Sequence, residues 1–414
     1  MRGVHRRPVF VSFLCLLALA AAAAAPAADA PLASRLAEAL AVPHVAPAST
    51  AGVAVDLRTG TVVFGRNAAA PLAPASTEKL AVTYALLAAL GPEFRISTEV
   101  LGHGTLEGAT WRGDLVLKGY GDPTLSSAGL ARLAAALEAA GISRVTGSVV
   151  GDESFFDSAR TAPGWKASFY GEESPPLSAL SADRGLYHGA LARRPALAAA
   201  RLLDEALRAA GVTVLGAPRT GAAAAADPRL AQIASPPLAR IVSMMDGQSD
   251  NFTAELLLKQ LGALGALGAL GALDGHRGTT AAGAAAVREL LANAGVPLAG
   301  VRIVDGSGLS RLDRLTAQAL VAILEASWLD PDIRPSLVAA LPVAGVTGTL
   351  ARRMRQAPAR GNVIAKTGTT NESSALAGFV RGRYAFAVLQ NGNPLSAAWA
   401  RTAQDRFASL LAAQ

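Results

Sequence analysis

The chain has 414 residues, 51% of them hydrophobic, which is too long for one small domain and enough to bury a sizeable core. Its 38 basic and 31 acidic residues give a formal charge of +7, dispersed without interleaved aromatics, so no nucleic acid partner is expected. Cys15 is the only cysteine, and His5, His44, His103, His188 and His276 are scattered without ligand spacing, which excludes a disulfide framework and leaves no metal site or cofactor to expect.

Residues 1–30 read as a cleaved export signal. Arg2, Arg6 and Arg7 form a positive start, Val9 to Ala22 an apolar stretch, and Ala28-Asp29-Ala30 a small-x-small cleavage site. An uncleaved anchor is the alternative, but the apolar run reaches spanning length only if its Ala-rich tail is counted. Cys15 lies inside this stretch behind Phe13-Leu14, which does not suit a lipoprotein site. No later segment is long and apolar enough to span a bilayer. The mature protein is therefore expected to be soluble and extracytoplasmic, periplasmic or secreted, with no transmembrane segment after signal cleavage. Its charge supports no more than a mild attraction to an anionic envelope.

A short helix is expected over Ala33 to Ala41, then strands Gly52 to Asp56 and Val62 to Gly65 around the turn Arg58-Thr59-Gly60. Pro74 introduces a helical run from Ala75 to Leu90, stopped by Gly91-Pro92. From residue 96 to 237 the pattern changes. Short strands (Ile96 to Leu101, Asp114 to Lys118, Arg144 to Val150) alternate with Ala-rich helices (Ala128 to Ala140, Pro195 to Ala210), which reads as an inserted α+β domain. Helices follow over Leu238 to Met245, Phe252 to Leu264, Ala281 to Ala294 and Ala317 to Ser327. A Leu-Gly-Ala tract running to Leu273 reads as a repeat expansion in a surface loop or helix end. Strands Asn362 to Thr367, Ser374 to Val380 and Tyr384 to Gln390 precede a terminal helix from Ala397 to Ala412. Residues 31–95 and 238–414 are thus expected to form one discontinuous domain, interrupted by residues 96–237.

Three short motifs bear on chemistry. In Ser76-Thr77-Glu78-Lys79, serine and lysine at i and i+3 share one helix face, and a desolvated lysine can lose its proton and take that of the serine. The same four residues also suit an ordinary surface helix start. Ser249-Asp250-Asn251 precedes a helix, where all three residue types are common caps. Lys366-Thr367-Gly368-Thr369 ends a strand, offering a cation, two hydroxyls and a glycine that lets a substrate lie close, or simply a turn. The lysines add weight. The chain has only five (Lys79, Lys118, Lys166, Lys259 and Lys366), and two fall in these motifs, in a protein that otherwise uses arginine, which cannot act as a base.

In this order, Ser-x-x-Lys, Ser-Asp-Asn and Lys-Thr-Gly resemble the signature of class A β-lactamases and penicillin-binding proteins. Pro74 to Lys79 with Leu90-Gly91-Pro92-Glu93-Phe94-Arg95, the stretch Gly119-Tyr120-Gly121-Asp122-Pro123-Thr124-Leu125, and Asp305-Gly306-Ser307-Gly308-Leu309-Ser310 are similar to the D-alanyl-D-alanine carboxypeptidase/endopeptidase family, the class C low-molecular-mass penicillin-binding proteins. The resemblance implies an α/β three-layer (αβα) serine β-lactamase/penicillin-binding transpeptidase-like fold, with a central antiparallel sheet of five strands, a helical subregion between its second and third strands, and the inserted α+β domain. It also implies hydrolysis of peptidoglycan stem peptides ending in D-Ala-D-Ala, with β-lactam antibiotics as covalent inhibitors.

By the same resemblance Ser76 is the nucleophile, Lys79 the base and Ser249 the relay to the departing amine. Asn251 holds the substrate amide, Lys366 polarises the relay, and Thr367, Gly368 and Thr369 receive the terminal carboxylate. The backbone N–H groups of Ser76 and Thr369 form the oxyanion hole. The two Gly/Asp-rich stretches read as structural turns. One departure is the interval between Lys79 and Ser249, shorter than expected for relatives with a second nested insertion. The alternatives are a class A-like β-lactamase, which lacks support because neither Glu172 nor Glu173 begins a Glu-x-x-Leu-Asn loop, a non-catalytic peptidoglycan-binding protein, and an esterase.

Overall fold

The computed structural model describes residues 30–268 and 277–414. The expected export signal and the end of the Leu-Gly-Ala tract lie outside these residues; the start of the tract, to Gly268, continues the helix Asn251–Gly268.

Two remote parts of the chain make one antiparallel five-stranded sheet. Its strands are, in spatial order, Val363–Thr369, Ser373–Val380, Tyr384–Asn391, Thr50–Asp56 and Thr61–Arg66. The inner strands are buried almost throughout because both faces are covered, and their period of two divides side chains between two cores. Val53, Val55, Phe379 and Leu389 pack with the helices Lys79–Leu90 and Ala317–Leu329. Ala54, Leu376, Phe386 and Val388 pack on the other face, with Leu36 of the helix Ala30–Leu40 and Phe407 of the helix Ala397–Ala412. This gives the three helix–sheet–helix layers expected of the fold. The helices Leu238–Gln248, Asn251–Gly268, Thr280–Asn293 and Arg334–Ala340 complete the helical side. Among the described residues no helix is long and apolar enough to cross a membrane.

A second sheet, of seven strands, lies between residues 97 and 234. Ser97–Glu107 and Thr110–Gly119 form a long hairpin, flanked by Arg229–Ala234 antiparallel on one side and Val149–Asp152 parallel on the other. The helices Ser127–Ala139 and Pro195–Ala209 cover it through Leu130, Leu133, Leu203 and Leu207. The strand expected over Arg144 to Val150 is divided into Arg144–Val145 and Val149–Asp152: Gly147 sits against the backbone of Gly113, where a Cβ would come within 2.4 Å of the Gly113 carbonyl, and the chain turns there.

The edge strand Val363–Thr369 matters most for function. Its outer edge is covered near the start, where Ala344 N–H donates to Val363 O and Ala365 N–H to Pro342 O. The end of the strand, with Lys366 to Thr369, instead faces the turn that carries Ser76: a Cβ on Gly368 would lie 2.8 Å from Pro74 O and 3.0 Å from Ser76 N. Only glycine permits that approach.

Candidate active site

Ser76 lies on a single 3₁₀ turn, Ala75–Glu78, which leads into the helix Lys79–Leu90. The expectation was one helix starting at Ala75. The tighter turn has a consequence, because residues i and i+3 eclipse in a 3₁₀ segment. Lys79 Nζ therefore stands 3.0 Å from Ser76 Oγ. The turn is entered through Ala75 at φ 47° and is braced by Gly308, whose φ is +79° and whose Cβ, were there one, would be 1.9 Å from Ala75 O. Gly308→Ala is expected to cost on the order of 3 kcal/mol through strain and overlap, and to impair acylation by displacing the turn. Thermal melting and penicillin labelling check both effects.

Lys79 is fully buried. Its Nζ donates to Asn251 Oδ1 at 2.9 Å and to Ser307 O at 2.7 Å. A neutral amine has two N–H donors and one lone pair. The two carbonyl oxygens satisfy the donors, and the third neighbour is the Ser76 hydroxyl. Burial pushes the ammonium below the usual lysine range, with Asp305, Asp246 and Glu255 opposing the shift.

Lys366 is also fully buried and donates to Ser249 Oγ at 2.9 Å and to Thr367 O at 2.9 Å. Burial, with the Lys79 charge nearby, pushes it down to about 7, against the pull of Asp246. Ser249 closes the helix Leu238–Gln248 in the left-handed conformation, φ 61°, which turns its hydroxyl towards Lys366. Asp246, one turn earlier, accepts from Thr83 Oγ1 at 2.7 Å and is raised to about 6 by burial, the Lys366 charge opposing. No motif marks this buried acid, whose charge acts on both lysines.

Asn251 opens the next helix, with Nδ2 3.2 Å from Glu173 O and 3.4 Å from Glu173 Oε2. Asp250 has another task. It accepts both guanidinium ends of Arg184, at 2.6 and 2.8 Å, together with Phe252 N–H and Thr253 Oγ1, so it fixes the helix start against the segment around residue 184. Thr367 Oγ1 meets Thr349 Oγ1 at 2.7 Å, and Thr369 Oγ1 donates to Gly368 O, with Arg401 Nη2 3.5 Å away. Thr349, Glu173 and Arg401 are lone residues on remote elements, with no motif to mark them. A cavity of about 310 Å³ adjoins the site, lined in part by Lys166, Phe169, Ser310, Arg311 and Glu372.

The Asp305-Gly306-Ser307-Gly308 stretch is a turn, as expected, and it also reaches the site through the Ser307 carbonyl. Asp305 holds it by accepting from the N–H groups of Ser307, Gly308 and Ser310 and from Trp165 Nε1. Glu255 accepts from Gly306 and Ser307 N–H at 3.0 and 2.8 Å. Burial, with Asp305 beside it, raises Glu255 to about 8; Glu78, buried without a partner for either oxygen, and Asp313 are raised well above the usual carboxylate range. The fold therefore keeps protons that the unfolded chain releases above about pH 4.3. The stability Glu255 contributes in this way is fully present below that pH and lost as pH rises through about 8. Glu255→Gln should flatten that part of the profile, so that Tm falls less between pH 5 and pH 8 than in the wild type.

A family model described as the D-Ala-D-Ala carboxypeptidase 3 (S13) family matches residues 32–194 and 189–414. A D-alanyl-D-alanine carboxypeptidase of Actinomadura sp. (strain R39) is 31% identical over 82% of this chain and 77% of its own length. A carboxypeptidase of Mycobacterium tuberculosis is 35% identical over 86% of this chain and 78% of its own. Among solved structures, penicillin binding protein 4 from Haemophilus influenzae superposes with a TM-score of 0.77 at 23% identity, covering 92% of this chain and 98% of that one; the same protein has been solved in complex with a β-lactam.

Proposed function

The chain belongs to the D-Ala-D-Ala carboxypeptidase 3 (S13) family of serine peptidases, and from that premise we propose that it hydrolyses peptidoglycan stem peptides ending in D-Ala-D-Ala through an ester on Ser76. The observation that carries this reading is the setting of Lys79, whose two donors are taken by Asn251 and Ser307 while Ser76 Oγ lies 3.0 Å from its nitrogen.

Ser76 Oγ attacks the carbonyl carbon of the penultimate D-Ala as its proton passes to Lys79. The carbonyl oxygen becomes an oxyanion between the backbone N–H groups of Ser76 and Thr369, supported by the closeness of Gly368 to Ser76 N. The C–N bond then breaks, and the leaving amine takes a proton through Ser249, whose hydroxyl is polarised by Lys366. That amine belongs to free D-Ala in the carboxypeptidase reaction and to a cross-linking side chain in the endopeptidase one. Thr367 and Thr369 receive the terminal carboxylate, and the exposed Arg401 beside Thr369 adds a positive charge there. Asn251 Nδ2 exchanges its contact with Glu173 for the substrate amide. Water finally cleaves the ester, and Ser76 recovers its proton. A β-lactam follows the same first step, but its amine stays tethered to the acyl group.

Such a substrate lies outside the cytoplasm, which agrees with an export signal at residues 1–30. The test is incubation with a pentapeptide and with cross-linked muropeptides, followed by mass spectrometry. Loss of one D-Ala, or of the cross-link, is expected. Intact substrates together with no labelling by a fluorescent penicillin would point to a binding protein, and rapid turnover of nitrocefin to a β-lactamase.

A further inference from the structure

A large groove lies beside the loop that leads into the edge strand. It has a volume of about 1120 Å³ and runs between the loop before that strand and the terminal helix, with Arg352, Arg355 and Arg360 on the loop and Arg406 on the helix. None of the residues lining the groove is among those that contact the side chains of Ser76, Lys79, Ser249 or Lys366.

Elsewhere several acidic groups hold a nearby arginine, as Asp250 holds Arg184 and Glu153 holds Arg160. Asp405 is the one acid lining the groove, and it is already engaged by Arg353 at 2.7 Å. The four lining arginines are exposed, and among the described residues their guanidiniums have no acidic or hydrogen-bonding side-chain partner. The small residues Gly345, Ala351 and Ala357 also line it. A second hollow of about 520 Å³ shares Pro358, Arg406 and Ser409 with it and adds Arg35 and Glu38.

Four like charges around one concavity repel each other, and among the described residues no acid is paired with any of them. Guanidinium groups pair with phosphate and carboxylate through two parallel hydrogen bonds. A single small anion would meet one or two of them and leave most of the groove empty. We propose that this groove binds a linear polyanion, a chain bearing phosphate or carboxylate groups at short intervals, and holds the enzyme on it while Ser76 remains free.

The probes are inorganic polyphosphate and poly-glutamate, titrated into the full-length protein by calorimetry at several salt concentrations. Binding of either is expected, weakening steeply with salt as counterions are released and retaken, and the stronger probe identifies the anion. The variant with Arg352→Ala, Arg355→Ala, Arg360→Ala and Arg406→Ala should bind at least about tenfold more weakly, and the facing pair Arg355→Ala with Arg406→Ala should lose a large part of that. Both should keep D-Ala release and penicillin labelling unchanged, which also shows that they fold. A control variant removes four exposed arginines elsewhere: Arg132, Arg144, Arg193 and Arg240. The proposal is overturned if neither probe binds at low salt, if the control loses as much affinity as the groove variant, or if vesicles of anionic lipid bind the groove while both chains do not.

Discussion

Ser76→Ala is expected to form no adduct with penicillin and to release no D-Ala, with kcat lowered on the order of 10⁵-fold or more. The hydroxyl is half-buried at the mouth of a turn that glycines 308 and 368 approach from two sides. Removing one oxygen there disturbs no packing. The Lys79 amine keeps Asn251 and Ser307, the sheet register is untouched, and Tm should change little. Loss of activity with retained stability is therefore the signature of a lost nucleophile. Mass spectrometry of the penicillin-treated wild type should place one penicilloyl group on the peptide that contains Ser76. An adduct of equal yield in the variant, on any other residue, would remove Ser76 from the mechanism.

How far the sequence led can be judged from particular residues. Strands Ser373–Val380 and Tyr384–Asn391 and the helices that cover them were readable, because long apolar runs with clear stops have few alternatives. The motif residues were readable because lysine is scarce. The strands Thr213–Val214, Arg219–Thr220 and Arg229–Ala234 went unread. They are short and partly polar, and they exist because the edges of the hairpin Ser97–Glu107 and Thr110–Gly119 and of its neighbours offer them hydrogen bonds. The polar shell of the site was hidden for another reason. Ser307 acts through a carbonyl that every residue possesses, and Thr349 and Glu173 act through a place in space that only the fold creates. Asp246 and Glu255 sit inside apolar helices, where a sequence offers no reason to prefer one buried acid over a surface one.

Those buried acids bear on the chemistry because they set the proton count of the two lysines. Lys79 and Lys366 are each fully buried in a site with five buried carboxyl groups close by, of which Glu78, Glu255 and Asp313 are pushed up by burial and then by neighbouring acids, Asp305 first, so that their neutral forms are favoured. Ionised, Glu78 and Glu255 would favour the ammonium form of Lys79, the opposite of what a base for Ser76 needs. Neutral acids let one lysine give up its proton while the other keeps it. The pair then titrates jointly, and its apparent pKa values belong to both residues.

Lys79→Arg carries the second large effect, a loss of about 10³- to 10⁴-fold in the rate of acylation by penicillin. Arginine keeps the charge and stays protonated at every pH the fold tolerates, so it supplies electrostatics without a base. Lys79→Ala, which asks for no extra room in the buried site, should lose as much and regain part of the rate when a small primary amine is added. In the wild type the rate should rise with pH as Lys79 loses its proton, and fall when Lys366, pushed down to about 7, loses the charge that polarises Ser249. Asp246 favours the ammonium form of both lysines. Asp246→Asn removes that support, and both limbs of the profile should move to lower pH. Stopped-flow labelling from pH 5 to 10 measures each quantity. Acylation by Lys79→Arg within about tenfold of the wild type, or a rate-pH profile of Asp246→Asn moved to higher pH, would show that the proton of Ser76 goes elsewhere.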